Sequence, residues 1–303
     1  MMRTIERIFP SDSLFPKLLS EIPDVPNVLY YIGELPSPLQ PAVSIVGTRK
    51  ASLDGIRLAR CIAEELASAG FAIVSGLAFG IDAAAHEGAL RAKGRTYAVL
   101  ANGLGSIYPR EHEQLAEHIL SSSGGLVSEY EPDSPAFKHQ FLARNRIISG
   151  LCIASILIEV PARSGALATA RYAAEQGREV YVFPGASTNS RYAGSHGLIR
   201  NGARLVTSVK DILEDLEQTL PQYEQFRSFL SPSQEMLPFQ YGTLDDNQII
   251  VAQVLRSAVS PLSIDKIQEL TTLQSHVVSQ TLTVLMLQGI IEEGTAGFRL
   301  KLN

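Results

Sequence analysis

The chain has 303 residues, 45% of them hydrophobic and 19% charged, with a formal net charge of −5. Such a composition excludes a disordered chain and provides for one large core with a smaller unit beside it. The negative balance also excludes a protein that coats nucleic acid through bulk charge, so any such binding must come from a local basic cluster.

Residues 1–40 are rich in proline and carry scattered apolar residues such as Phe15, Leu18, Leu19 and Tyr30. They read as a packed N-terminal arm with one short helix and a short strand over 28–31, rather than an independent domain. The opening residues lack an uninterrupted apolar stretch, and no later run approaches a membrane span. A cytoplasmic location without a membrane partner is expected.

From Pro41 the pattern alternates between strand and helix. Short apolar runs rich in β-branched residues stand at 42–46, 71–75, 96–101, 126–129, 153–160, 179–183 and 204–207. Strands that are apolar on both faces and alternate with helices make a parallel sheet covered on both sides. The expectation for 41–216 is therefore an α/β domain with a Rossmann-like, doubly wound parallel sheet. In such a sheet ligands bind beyond the carboxyl ends of the strands. Small residues cluster at five of those ends, including Gly47, Gly76, Gly80, Gly103, Gly105, Gly165 and Gly185, which would meet along one rim.

Gly47-Thr48-Arg49-Lys50 leads into a helix and is a candidate phosphate loop. It is not Gly-x-Gly-x-x-Gly, and no Gly-x-x-x-x-Gly-Lys-Ser/Thr run occurs, so a dinucleotide cofactor and NTP hydrolysis are disfavoured and no cofactor is expected. Asp82 and His86, four apart, read as a helix-start hydrogen-bonding arrangement. Cys61 and Cys152 both sit in apolar surroundings and read as buried thiols, and no Cys/His cluster has metal-ligand spacing.

The richest stretch runs from Phe137 to Arg171. A cationic helical segment leads into a strand, which ends in a small-residue turn opening another helix over 165–177. Ser164 and Gly165 leave room for an anion at that helix start. Lys138, Arg144, Arg146 and Arg163 add formal charge nearby, and Phe137 and Phe141 offer rings; cation plus ring suits a nucleic-acid strand. Glu159, just before the anion loop, is expected to orient loop amides or an arginine. Ser164 lies in no Gly-x-Ser-x-Gly elbow and no nucleophile is found, so enzymatic activity is not expected.

Several long motifs in the same order resemble the DprA/Smf family (DNA-processing protein A): Val46-Gly47-Thr48-Arg49, Ser75 to Asp82 with His86, Arg144-Asn145-Arg146-Ile147-Ile148-Ser149-Gly150-Leu151, Arg163-Ser164-Gly165-Ala166-Leu167, and Val182-Phe183-Pro184-Gly185. The similarity covers nearly the whole chain. It implies a bacterial protein that binds single-stranded DNA, protects it during natural transformation, loads a RecA-type recombinase and forms a homodimer through the Rossmann-like domain. Carried residue by residue, the family's strand-binding positions fall on Gly47, Thr48, Arg49, Lys138, Phe141, Asn145, Arg146, Ser164 and Gly165. Lys50, Arg144 and Arg163 are added from the residues themselves. Members often carry Arg where this chain has Phe79, and many begin with an extra helical domain before the arm. The alternative is an enzyme of a related Rossmann-like group that binds or cleaves nucleoside phosphates. Those enzymes resemble one another in a Gly-Gly-x-Gly-Thr helix start with a catalytic Glu, where this chain reads Arg163-Ser164-Gly165-Ala166-Leu167.

Residues 217–243 have few regular signals and read as a linker. Residues 244–303 show helical patterns over 246–256, 263–271 and 274–288 and a terminal hairpin over 290–302, which together make a small winged-helix domain. Its four basic residues face six acidic ones, and the would-be recognition helix contains no Lys or Arg. A protein-contact or regulatory role is favoured over duplex binding, because phosphate neutralisation dominates non-specific DNA affinity.

Overall fold

Strand β3 (Ala42–Gly47) is the hub of the larger unit. From it the chain steps outward through β4 (Ala72–Ser75), β5 (Thr96–Val99) and β6 (Gly125–Ser128), then returns to the other side of β3 for β7 (Ala154–Ile158), β8 (Glu179–Val182) and β9 (Arg204–Leu205). All seven are parallel. The reversal beside β3 makes this the doubly wound sheet expected from the sequence, and β5, β4, β3, β7 and β8 stand next to one another. The five small-residue loops therefore leave one edge of the sheet. This computed structural model describes residues 4–219 and 246–300, save 259, 272, 288–289 and 295–296. The chain divides into two compact units, Met1–Ser231 and Pro232–Asn303.

Period-two alternation explains why the strands look apolar throughout. Val43 and Ile45 face α2 (Leu53–Ser68), α3 (Ile81–Arg91) and α8 (Val209–Thr219), whereas Ala42 and Val46 face α5 (Gln140–Gly150) and α6 (Ala166–Glu175). Both faces are covered, so neither needs polar residues. Helix α2 starts where Ser52 Oγ accepts the Gly55 amide at 3.0 Å, and its core stripe is Ala59, Ile62, Ala63 and Leu66. Cys61 falls off that stripe and is exposed, which corrects the expectation of two buried thiols; Cys152 is buried.

The arm does more than pack. Besides the short helix α1 (Lys17–Ser20), it contributes β1 (Glu6–Ile8) and β2 (Leu29–Gly33), and β2 pairs antiparallel with β6, so the sheet is mixed at this edge. Phe15, Leu19 and Ile22 enter the α5-side core. Arg146 Nε donates to Asp24 at 2.8 Å, and Arg178 donates to the Leu18 carbonyl at 2.9 Å, tying the arm down.

The linker read over 217–243 lies outside the described residues except for 217–219, which are the last residues of α8. The second unit contains helices Asp246–Ser257, Ile264–Thr271 and Ser275–Leu287 and an antiparallel hairpin of Ile291–Gly294 with Gly297–Leu300. Leu262 bridges to Phe298, giving the three-helix and wing arrangement. Val251, Leu255, Ile267, Val278, Leu282 and Leu285 form its core. On this unit Arg299 pairs with Glu292 and Lys266 with Glu269. No helix among the described residues is long and apolar enough to cross a membrane.

Candidate functional site

The loop after β3 carries Arg49 to the rim, where its guanidinium lies over the Phe141 ring, 4.8 Å from the centroid. Phe141 comes from the first turn of α5 and meets Tyr108 edge-on at 5.6 Å. Phe79, from the loop after β4, completes the aromatic lining of a pocket of about 50 Å³ that also includes Gly76, Ala78 and Pro109. By the measure that about 10–15 Å³ holds one water, this is room for a few waters or the edge of one planar ring. Lys50, Lys138 and Arg163 are exposed on loops that follow β3, precede α5 and follow β7.

Below the pocket the structure rearranges the basic cluster expected from the sequence. Arg144 is 4% exposed and Arg146 7% exposed, so neither presents charge at the rim. Arg144 Nη1 donates to the carbonyls of Gly76, at 2.9 Å, and Val99, and Nε donates to Asn145 Oδ1 at 3.2 Å. Burial pushes its pKa down to about 10, opposed by the neighbouring Asp82. Burial likewise raises the Asp82 carboxyl, against the pull of Arg144 and two amide donors. Arg146 forms a bidentate pair with Glu129, at 2.8 and 2.7 Å. Asn145 Nδ2 donates to the Gly165 carbonyl at 3.1 Å, linking α5 to the turn before α6. These three residues brace the loops around the pocket. A Cβ on Gly76 would stand 2.6 Å from Arg144 Nη2 and 2.7 Å from Asp82 Oδ2, so only glycine lets the floor close over the pair.

The loop after β3 departs from the phosphate-loop expectation. The Thr48 amide donates to the Glu159 carbonyl at 3.1 Å, the Lys50 amide to Thr48 Oγ1 at 3.2 Å, and the Ser52 amide to Glu159 Oε2 at 2.8 Å. Ser52 Oγ also bonds Glu159 Oε1. A buried carboxylate thus already occupies the positive end of α2. Glu159 orients loop amides, as expected, in a left-handed conformation with φ 46°. At α6, Ser164 Oγ accepts the Ala166 amide at 3.2 Å, and the Ser164 carbonyl accepts Leu167. Gly165 faces open space. Gly47 packs against Ile81, where a Cβ would stand 2.6 Å from Cγ1. Three of the amides of the β3 loop, those of Thr48, Lys50 and Ser52, are thus already paired within the protein.

Asp82 and His86 do not bond each other. Asp82 Oδ2 accepts the Gly76 amide at 3.1 Å, and His86 Nδ1 meets Thr96 Oγ1 at 2.7 Å. Sequence reading missed Tyr108 and His112. Their signal was an aromatic and a polar ring shortly after the glycines that end β5, a segment with no periodicity to place it.

Comparison with known proteins now bears on this geometry. A family model described as DNA recombination-mediator protein A matches residues 6–217. The chain belongs to that recombination-mediator family. Protein Smf of Escherichia coli is 45% identical over 239 residues, 77% of this chain and 63% of that protein. Protein Smf of Synechocystis is 43% identical over 79% of this chain and 60% of its own. The chain thus spans less than two thirds of the length of these two relatives. The DNA processing protein DprA of Streptococcus pneumoniae is similar in structure as well, with TM-score 0.66 and 40% identity over 70% of this chain and 74% of that one. DNA processing protein A of Helicobacter pylori, solved for its single-stranded DNA binding mode, superposes with TM-score 0.63 and 28% identity over 72% of this chain and 98% of that one.

Proposed function

We propose that the protein is a non-enzymatic, single-strand DNA-binding recombination mediator that protects incoming DNA and loads a RecA-type recombinase during natural transformation, acting as a cytoplasmic homodimer. The observation that carries this reading is the Arg49 guanidinium over the Phe141 ring at the mouth of an aromatic pocket. Rings stack on unpaired bases irrespective of sequence, and duplex DNA hides its base faces. Exposed Arg49, Lys50, Lys138 and Arg163 supply the phosphate contacts, with Ser164 and Gly165 at an open helix start. Family membership and the single-strand binding of the Helicobacter pylori relative support the same assignment. Gly47, Thr48, Arg144, Asn145 and Arg146 belong to the site as its frame.

The test is fluorescence anisotropy of a labelled poly-dT strand and of a matching duplex across a salt series. The single strand should bind more tightly. Phe141→Ala should weaken it by about 1–3 kcal/mol, while Lys138→Ala and Arg49→Ala should each flatten the salt dependence by about 0.7 in slope. No binding at low salt, or binding indifferent to all three substitutions, would remove this reading.

A further inference from the structure

Charge is not spread evenly along the rim. On the side of β3, β7 and β8 stand Lys50, Arg163 and Arg191, all exposed, on the loops that follow three neighbouring strands. Carboxylates near them in the chain are already engaged: Asp54 pairs with Arg57 at 3.6 Å, and Glu159, 1% exposed, takes Ser52. The loop after β8 is pinned where it stands. Tyr192 Oη donates to Glu159 Oε1 at 3.5 Å, and its ring lies so close to Gly185 that a Cβ there would stand 2.4 Å away. The Gly194 and Ser195 amides both donate to the Val160 carbonyl, at 2.8 and 3.1 Å, and Asn189 Oδ1 accepts the Arg191 amide at 3.1 Å. The β5 and β6 side carries the opposite sign. Glu111, Glu113, Glu131 and Asp133 are exposed there, with Arg110 among them. The loop after β6 lies on the one after β5, since a Cβ on Gly105 would stand 3.1 Å from Asp133 Oδ1.

We propose that the bound strand leaves the pocket across the ends of β3, β7 and β8, with Arg191 as its outermost phosphate contact, and is turned away from the β6 side by the acidic rim. This rests on the single-strand reading above and adds a direction to it. Neighbouring strands lie about 4.8 Å apart, so the cations of these loops line a track that reaches roughly 10 Å beyond β3. A polyanion with one charge per nucleotide gains from each cation along that track, whereas four carboxylates around one guanidinium repel it on the other side. Because the loop that carries Arg191 is already tied to Glu159 and Val160, little ordering is needed when the strand arrives.

The experiment is fluorescence anisotropy of a labelled oligo-dT strand across a salt series. Arg191→Ala should flatten the salt dependence by about 0.7 in slope, the share of one phosphate contact, and Ser187→Lys on the same exposed loop should steepen it by about as much. Arg110→Ala and Ser106→Lys, both on the β5 side, should leave the slope unchanged. When the strand is shortened stepwise, the effect of Arg191→Ala should vanish while that of Arg49→Ala persists, because the outer contact is lost first. Should Arg191→Ala fail to fold, Ser187→Lys decides the matter. A slope that answers to the β5-side variants, or equally to both added lysines, overturns the proposed path. So does a slope indifferent to both loops while Arg49→Ala and Lys138→Ala still weaken binding, which keeps the single-strand reading; no binding of the parent at low salt removes both.

Discussion

Replacing Arg144 with methionine is expected to lower the unfolding free energy of the larger unit by about 3–5 kcal/mol, the usual cost of removing one partner from a buried charge pair. The guanidinium is 4% exposed and spends its donors on the Gly76 and Val99 carbonyls and Asn145, with Asp82 beside it. Methionine fills much of the volume but leaves those carbonyls without their donor and a carboxyl, itself 6% exposed, without its counter-charge. Against a typical total of about 5–15 kcal/mol this is a large share. Urea unfolding should show a lower midpoint at unchanged slope. Adding Asp82→Asn to the variant should return part of the loss, since the two residues act as a unit. A loss below about 1 kcal/mol would mean that the pair is not a brace of the rim. Because Gly76 and Val99 stand at the ends of β4 and β5, the same substitution should loosen the floor of the aromatic pocket.

Acid should destabilise the protein well before its surface carboxylates protonate, and His86 is the reason. The ring is fully buried, its Nδ1 faces Thr96 Oγ1, and its Nε2 has no hydrogen-bond partner. Thr96 Oγ1 donates its own proton to the Ile73 carbonyl at 2.8 Å, so Nδ1 must be the donor to Thr96, and burial with an unpartnered Nε2 favours the neutral imidazole. Burial, helped by the neighbouring Arg144 guanidinium, pushes its pKa down from 6.5 to about 3. Below pH 6.5 the unfolded chain therefore takes up a proton that the folded chain refuses until about pH 3. The stability this neutral ring confers is complete above the unfolded value and is lost as pH falls through that window, by up to about 1.4 kcal/mol per pH unit. Between pH 7 and 5 the loss should be about 2 kcal/mol. Asp82, whose pKa is raised by burial, works in the opposite direction as its own range is approached. Measuring parent and His86→Gln side by side separates the two. The variant should show a distinctly shallower pH dependence, and equal slopes would locate the acid sensitivity elsewhere.

The sequence by itself determined the sheet and the rim. Runs such as Ala42 to Val46 and Ile153 to Val160 are apolar at every position or nearly so, and only a strand covered on both faces uses such a run economically. Glycines at the ends of five of these strands then had to lie together, because parallel strands send their carboxyl ends to one edge. The sequence also placed a ring and a cation, Phe141 and Arg49, at that edge, and the structure sets the guanidinium over the half-buried ring.

Tertiary structure decided what became of the other charges. Arg144, Asn145 and Arg146 have the composition of a basic surface helix, yet Asp82, Glu129, Asp24 and the Gly165 turn, all distant in sequence, take them into the interior. Whether a charge is buried depends on partners that local pattern does not contain. The same holds for the β3 loop, where the Thr48 and Ser52 amides are taken by Glu159 more than a hundred residues away. β1, with three residues at a sheet edge, is too short to show a period, and only its pairing with β2 makes it a strand. Tyr108 and His112 reach the rim because a loop without periodicity folds back over the end of β4, where His112 bonds the Leu77 carbonyl and meets the Phe79 ring.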